Sequence, residues 1–150
     1  MRRALYIMLL GAAAVWMTSC STDTVYSQFR SIPSEKWHMD SAVSFDYPVS
    51  DTAVDYRLIV NIRHTECYPY QNMWLFIEDS LRNDTIEFYL ANDRGQWLGD
   101  KHHGFIDMPV LLDDHRVYPD SGTYHLTIRH GMRDSVLRGV ADIGIEVIRN

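Results

Sequence analysis

The chain is poor in cysteine, with two in 150 residues, Cys20 and Cys67. It therefore has no disulfide framework of the kind that staples small secreted domains. It is also poor in cations: 14 Lys and Arg stand against 20 Asp and Glu, for a formal charge of -6. That balance excludes nucleic acid as a partner, because phosphate binding needs clustered positive side chains. It equally excludes electrostatic docking on anionic lipid. There is no internal repeat, no low-complexity tract and no run apolar enough for long enough to span a bilayer, which takes about 20 residues. No stretch carries the 3.6-residue period of an amphipathic helix.

Catalytic and metal-binding patterns are missing too. The seven histidines do not form a His-x-Glu-x-x-His or similar pair. His102 and His103 are adjacent, which on a strand points them to opposite faces. His64 and His130 each follow an arginine and read as caps at exposed strand ends. Asp113-Asp114 and the Asp51/Asp55 pair lack calcium-loop spacing. Gly95, Gly99 and Gly104 are followed by no Lys-Ser/Thr and no helix start, so they make no phosphate loop. There is no Gly-x-Ser-x-Gly elbow, and nothing sets carboxylates such as Glu78, Glu87 and Asp107 at a hydrolytic separation. No enzyme, metal, cofactor or small-molecule substrate is expected.

What is present begins at the N-terminus. Arg2 and Arg3 precede an almost unbroken apolar run, Ala4 to Trp16, and then Met17-Thr18-Ser19 leads to Cys20. This three-part layout is a secretory signal. With hydrophobes at -4 and -3, small residues at -2 and -1 and cysteine at +1, it resembles the lipobox of bacterial lipoproteins in the relaxed form of the Bacteroidota. The resemblance implies a diacylglyceryl thioether on Cys20, cleavage before it, and a fatty acyl chain such as palmitate on the new amino group. Two or three chains suffice for stable anchoring, at about 0.8 kcal/mol per buried methylene. Cleavage removes two arginines and no acid, so 12 cations face 20 acids and the mature chain carries -8. Ser21 rather than Asp at +2 implies the outer membrane. A single acid, Asp23, near the cysteine favours the periplasmic face over the cell surface.

Residues 20–40, with Ser21, Thr22, Asp23, Thr24, Ser31, Pro33 and Ser34, read as a lipidated cysteine and tether, docking at Trp37. Residues 41–150 form the folded domain. Its apolar period is two: Val43, Phe45, Tyr47; Tyr56, Leu58, Val60, Ile62; Ile86, Phe88, Leu90; Tyr124, Leu126, Ile128; Ile143, Ile145, Val147. Turn residues separate these runs at Asn83-Asp84, at Asn92 to Gly95 and at Pro119 to Gly122. A further strand is expected between Phe105 and Leu112. Met73 to Ile77 is apolar on both faces, as in a strand covered on both sides or bearing a partner. Asp120-Ser121-Gly122-Thr123-Tyr124 resembles the start of strand F in immunoglobulin-like folds, where the tyrosine makes a corner. The expectation is an all-β, antiparallel β-sandwich, immunoglobulin-like, of six to eight strands, with Cys67 a small buried hydrophobe beside one of them.

The aromatics Trp37, Trp74 and Trp97 with Tyr68 and Tyr70 fit either a core or a sugar-stacking platform. Tyr68-Pro69-Tyr70-Gln71-Asn72-Met73-Trp74-Leu75 follows a strand ending Asn61-Ile62-Arg63-His64. Then come Asn83-Asp84-Thr85, Leu90-Ala91, Gly95-Gln96-Trp97-Leu98-Gly99 and Leu137-Arg138-Gly139-Val140-Ala141-Asp142-Ile143-Gly144-Ile145. With the lipobox cysteine, these segments are similar to the gliding-motility lipoprotein GldH family of the Bacteroidota. The resemblance implies an outer-membrane-associated lipoprotein near the machinery of gliding and type IX secretion, in hosts that glide and in some that do not. It carries over one site, lipid attachment at Cys20. Tyr68, Tyr70, Trp74 and Trp97 are the candidate partner surface of a non-catalytic adaptor with envelope protein partners; the alternative is a glycan-binding envelope lipoprotein.

Overall fold

The computed structural model describes residues 23–150. The signal segment and Cys20 lie outside the described residues. Eleven strands follow in order: β1 Thr24–Ser31, β2 Lys36–His38, β3 Val43–Val49, β4 Tyr56–Thr65, β5 Asn72–Asp79, β6 Asn83–Tyr89, β7 Asp100–His102, β8 Phe105–Arg116, β9 Gly122–His130, β10 Val136–Arg138 and β11 Val140–Arg149. All pairings are antiparallel. One sheet has the order β1-β11-β4-β8-β7 and the other β3-β9-β5-β6, with β2 and β10 as a separate short ribbon.

The antiparallel sandwich expected from the two-residue period is present. Its strand count exceeds six to eight because β2, β7 and β10, of three residues each, are too short to show a period. Its strand order also differs from the immunoglobulin one. The pairs β1·β11, β3·β9, β4·β8 and β5·β6 nest inside one another, and successive long strands switch sheets except at the β5–β6 hairpin. That is the order of a double-sheet jelly roll. In an immunoglobulin sandwich strands F and G share a sheet; here β9 and β11 do not. The tyrosine corner itself exists, with the Tyr124 hydroxyl donating to the Asp120 carbonyl at 2.8 Å. A corner fixes how one strand begins, and it does not choose that strand's neighbours.

The tether expected through residue 40 is corrected likewise. Residues 24–31 form an edge strand on β11, and residues 36–38 pair with β10. The polar side chains of β1 lie largely exposed along a sheet edge, so the segment reads as linker although its backbone is laddered. Trp37 is buried, its Nε1–H donating to the Ser41 carbonyl at 2.8 Å.

Inward residues of β3, β4, β5, β9 and β11 close the core between the sheets, and β4 alternates buried and half-buried along all ten residues. Each buried Leu, Ile, Val or Phe contributes about 1.5–3 kcal/mol. At one end, which we term the base, Tyr47, Tyr56, Tyr118 and Tyr124 pack together, and the Tyr47 and Tyr118 hydroxyls hydrogen-bond at 3.0 Å. Against them the Arg116 guanidinium meets Asp79 at 2.5 Å, with both side chains nearly solvent-free (4% and 2%). This pair joins β8 of one sheet to β5 of the other. Burial alone would raise the Asp79 carboxyl. The backbone N–H groups of Arg82 and Leu81 and the Arg116 guanidinium outweigh it and hold the carboxyl below the usual range.

Removing one partner of such a pair leaves a buried charge unmatched. Arg116→Leu should cost about 3–5 kcal/mol in denaturant unfolding. Adding Asp79→Asn to that variant should restore part of the loss; a double variant less stable than Arg116→Leu alone would show that Asp79 matters through its turn hydrogen bonds and not through the pair.

Candidate functional site

The opposite end, the apex, collects the predicted aromatic residues. The Tyr68-Pro69-Tyr70 loop leaves β4 and enters β5. Its position is set by Gly139, whose φ is +81° and where an added Cβ would meet the Tyr68 backbone nitrogen at 2.4 Å. Only glycine allows the chain entering β11 to pass so close. The Tyr68 hydroxyl donates to the Asn72 carbonyl at 2.7 Å, closing the loop on itself.

Gln71 ties in the next segment. Its carbonyl accepts from the N–H groups of Leu90 and Ala91, and its side-chain amide reaches the Asn92 carbonyl. The Asn92 side chain accepts from the Arg94 and Gln96 N–H groups, and Ala91 bridges to Trp97. This small turn delivers the Trp97 indole onto His64 (4.7 Å between ring centroids) and toward Tyr68 (6.4 Å). Tyr68 also contacts His64 at 5.7 Å and Tyr70 at 6.1 Å.

The four predicted surface residues therefore come to one place but do different things. Tyr68 is buried, at 3% exposure, which corrects its assignment to a surface. Trp97 is half-buried. These two rings support the loop. Tyr70 and Trp74 are each 38% exposed. Strand alternation explains Trp74: Met73, Leu75 and Ile77 fill the core, so Trp74 and Phe76 must face out. The outer face of Met73 to Ile77 is thus bare among the described residues. Trp74 is framed by Gly131, whose N–H donates to the Trp74 carbonyl at 2.7 Å, and by Met132, whose sulfur accepts from the Trp74 N–H at 3.4 Å. A Cβ at Gly131 would press on Phe76 and Trp74 at 3.1–3.2 Å. Met132 and Gly131 were not legible as site residues, because they follow β9 outside any periodic run. The Tyr70 hydroxyl donates to Asp134 at 2.7 Å, and that carboxylate raises the phenol's pKa.

Pro69 and Tyr70 form a ridge between three grooves. One, of about 420 Å³, runs along Ala91, Gly95 and Trp97. Another, of about 490 Å³, holds Cys67, Asp134 and Arg138. The third, of about 310 Å³, lies between Tyr70, Trp74 and Met132. Cys67 is a free, exposed thiol, not the buried hydrophobe expected: it sits in the turn after β4, where the alternation that would bury it has ended.

His64 and His130 also depart from expectation. Both are buried (0% and 3%) rather than capping exposed edges, because each falls on the inward phase of its strand. One nitrogen of each is satisfied, His64 Nδ1 by the Thr65 carbonyl and His130 Nε2 by the Trp37 carbonyl, both at 3.1 Å. The other, His64 Nε2 or His130 Nδ1, has no hydrogen-bond partner among the described residues. Burial lowers both pKa values. His102 ends a strand and His103 sits in a turn at φ +48°. Among the described residues no group of three or more His, Cys, Asp or Glu could hold a metal, and no helix is long and apolar enough to cross a membrane.

The family model described as GldH lipoprotein matches residues 24–147, from the first residue of β1 into β11. The chain is similar to the gliding motility lipoprotein GldH of Flavobacterium johnsoniae, at 31% identity over 94% of this chain and 93% of that protein. It is also similar to the gliding motility lipoprotein GldH homolog of Christiangramia forsetii, at 28% identity over 98% and 97%. No solved structure matches.

The buried imidazoles predict a pH dependence. In the unfolded chain they take up protons near pH 6.5, whereas in the folded apex they resist. Their contribution is therefore full above about pH 6.5 and is lost as pH falls toward their lowered folded values, by about 1.4 kcal/mol per unit of depression. The thermal midpoint should drop between pH 7 and 5, and His64→Phe or His130→Phe should flatten that drop. A midpoint that stays level across this range would refute the assignment.

Proposed function

The chain belongs to the GldH lipoprotein family, and from that premise we propose that it is a non-catalytic adaptor of the gliding or envelope machinery. In this reading it is anchored by lipid on Cys20 and meets a protein partner through Tyr70 and Trp74. Membership makes it a membrane-associated envelope lipoprotein. Processing before Cys20, residence in the outer membrane and a periplasmic orientation are our reading of the residues around that cysteine.

One observation carries the adaptor reading. Two large aromatics are held half-exposed beside a groove, Tyr70 on a loop that Tyr68, Trp97 and Gly139 brace from below and Trp74 on the adjoining strand β5. Aromatic anchors presented on a rigid frame are the residues that dominate protein interfaces. A protein partner is preferred over a glycan because a sugar platform needs several exposed coplanar rings, whereas Tyr68 is buried and meets Tyr70 edge-on, at 79° between planes.

Crosslinked pull-down from native membranes tests this. Trp74→Ala and Tyr70→Ala should each lose the envelope proteins recovered with the parent chain, while stability changes by less than about 1 kcal/mol, as at other partly exposed sites. Unchanged recovery would reject the surface, and retention on cell-wall glycan alone would replace the adaptor by a binding module. Separately, Cys20→Ser should leave an uncleaved or mislocalised precursor; a variant still processed and membrane-bound would remove the lipid anchor from the reading.

A further inference from the structure

Strand β1 begins at Thr24, and Cys20 lies four residues before it. Fully extended, those four steps span at most about 14 Å. Thr24 pairs with Ile148, and the Asp23 carbonyl accepts from the Arg149 N–H at 2.8 Å. The chain therefore enters the sandwich at the base, beside the loop after β3 and the end of β8. The apex lies at the far end of β4, whose ten residues cover about 30 Å at roughly 3.3 Å each.

The two ends also differ in charge. Besides the internal Arg116–Asp79 pair, the base gathers Asp23, Asp51, Asp55, Asp113, Asp114 and Asp120 against Arg57, Arg82 and Arg149. The grooves and the braced aromatics are at the other end.

We infer that the domain stands on the bilayer by its aspartate-rich base and holds the Pro69–Tyr70 ridge about 30 Å from the lipid, so that Tyr70 and Trp74 face a protein and not the membrane that carries the chain. The inference rests on the proposed lipid attachment at Cys20. An inverted pose, with the apex on the lipid, would require the leash to run the length of β4, about twice its reach. A pose on the outer face of the β3-β9-β5-β6 sheet, which presents Trp74 and Phe76 beside Asp46, Glu78 and Glu87, would set β1, in the other sheet about 10 Å behind, at the limit of the leash. A pose on the opposite face, which carries the ion pair Arg63–Asp107, would bring positions 50 and 67 equally near the lipid.

The exposed thiol of Cys67 supplies an apical label without mutation. A basal label comes from Ser50→Cys in a Cys67→Ser background, since Ser50 is exposed and outside the strands. Full-length lipidated protein would be reconstituted in phosphatidylethanolamine/phosphatidylglycerol vesicles carrying a headgroup energy acceptor. Transfer from position 50 should exceed that from position 67 by at least about twofold, given the 30 Å between the ends. Equal transfer, stronger transfer from position 67, or a blue shift of Trp74 emission on adding vesicles would each overturn the upright pose. Failure of the protein to float with vesicles, or thiol labelling of Cys20, would instead strike the anchoring reading and take the inference with it.

Discussion

The nested pairing of the two halves of the chain is the constraint from which the rest of the structure follows. Once β1 pairs with β11, β3 with β9, β4 with β8 and β5 with β6, the connections between sheets must pass alternately over two ends. The acidic loops fall at one and the aromatic loops at the other. The pairing also places β5 between β9 and β6. A strand held on both edges cannot rotate, so filling the core with Met73, Leu75 and Ile77 commits Trp74 and Phe76 to the outside. The exposed aromatics thus follow from backbone geometry at a position where the inward residues already satisfy the core. Almost every pairing is distant in sequence, and such a topology folds slowly because loop closure precedes the contacts that reward it.

The two ends handle buried polarity in different ways. At the base, Arg116 and Asp79 neutralise each other, and Asp79 further accepts from the Leu81 and Arg82 N–H groups at 2.6 and 2.9 Å. Its charge is fully matched, and it is lost only when acid protonates a carboxyl already held below its ordinary range. At the apex, His64 and His130 are each half-matched, with one buried nitrogen idle. Neutral imidazole tolerates this at moderate cost, whereas imidazolium would bring a second buried donor with nowhere to go. Acid therefore attacks the apex first, in the range where histidines titrate, and the base only near carboxylate values. The end that carries the exposed aromatics is also the end with the smaller margin.

Much of this was legible in the sequence, and the limits were physical. The period of two located the long strands because each has one face in the core. It missed β1, which lies on an edge with little to bury, and β2, β7 and β10, which are too short to repeat. The Asp120-x-Gly-x-Tyr corner was found correctly, yet it suggested the wrong neighbours, since a local turn says nothing about which distant strand lies alongside. The aromatics Tyr68, Tyr70, Trp74 and Trp97 all fall at the apex, but sequence could not divide them into support and surface. That division depends on the phase of each residue: Tyr68 turns in beside His64, and Tyr70, two positions on, turns out because a loop carries no strand phase. The errors at Cys67 and His64 have the same origin, with the strand ending between them.

This division governs how substitutions at the apex should be interpreted. Tyr68 and Trp97 contact one another and the buried His64, so a change at either disturbs packing, the loop and any surface that the loop presents. A lost interaction in such a variant would not identify a contact. Tyr70 and Trp74 lie on the same frame but contribute little to the core, so a lost interaction there reports the surface itself. Tyr70 makes a side-chain hydrogen bond, its hydroxyl to Asp134, besides the edge contact of its ring with Tyr68. Replacing Tyr70 with phenylalanine removes that hydrogen bond and keeps the ring, whereas alanine removes both. Comparing the two separates a loop that must be held from a ring that must be touched, and only the second is recognition.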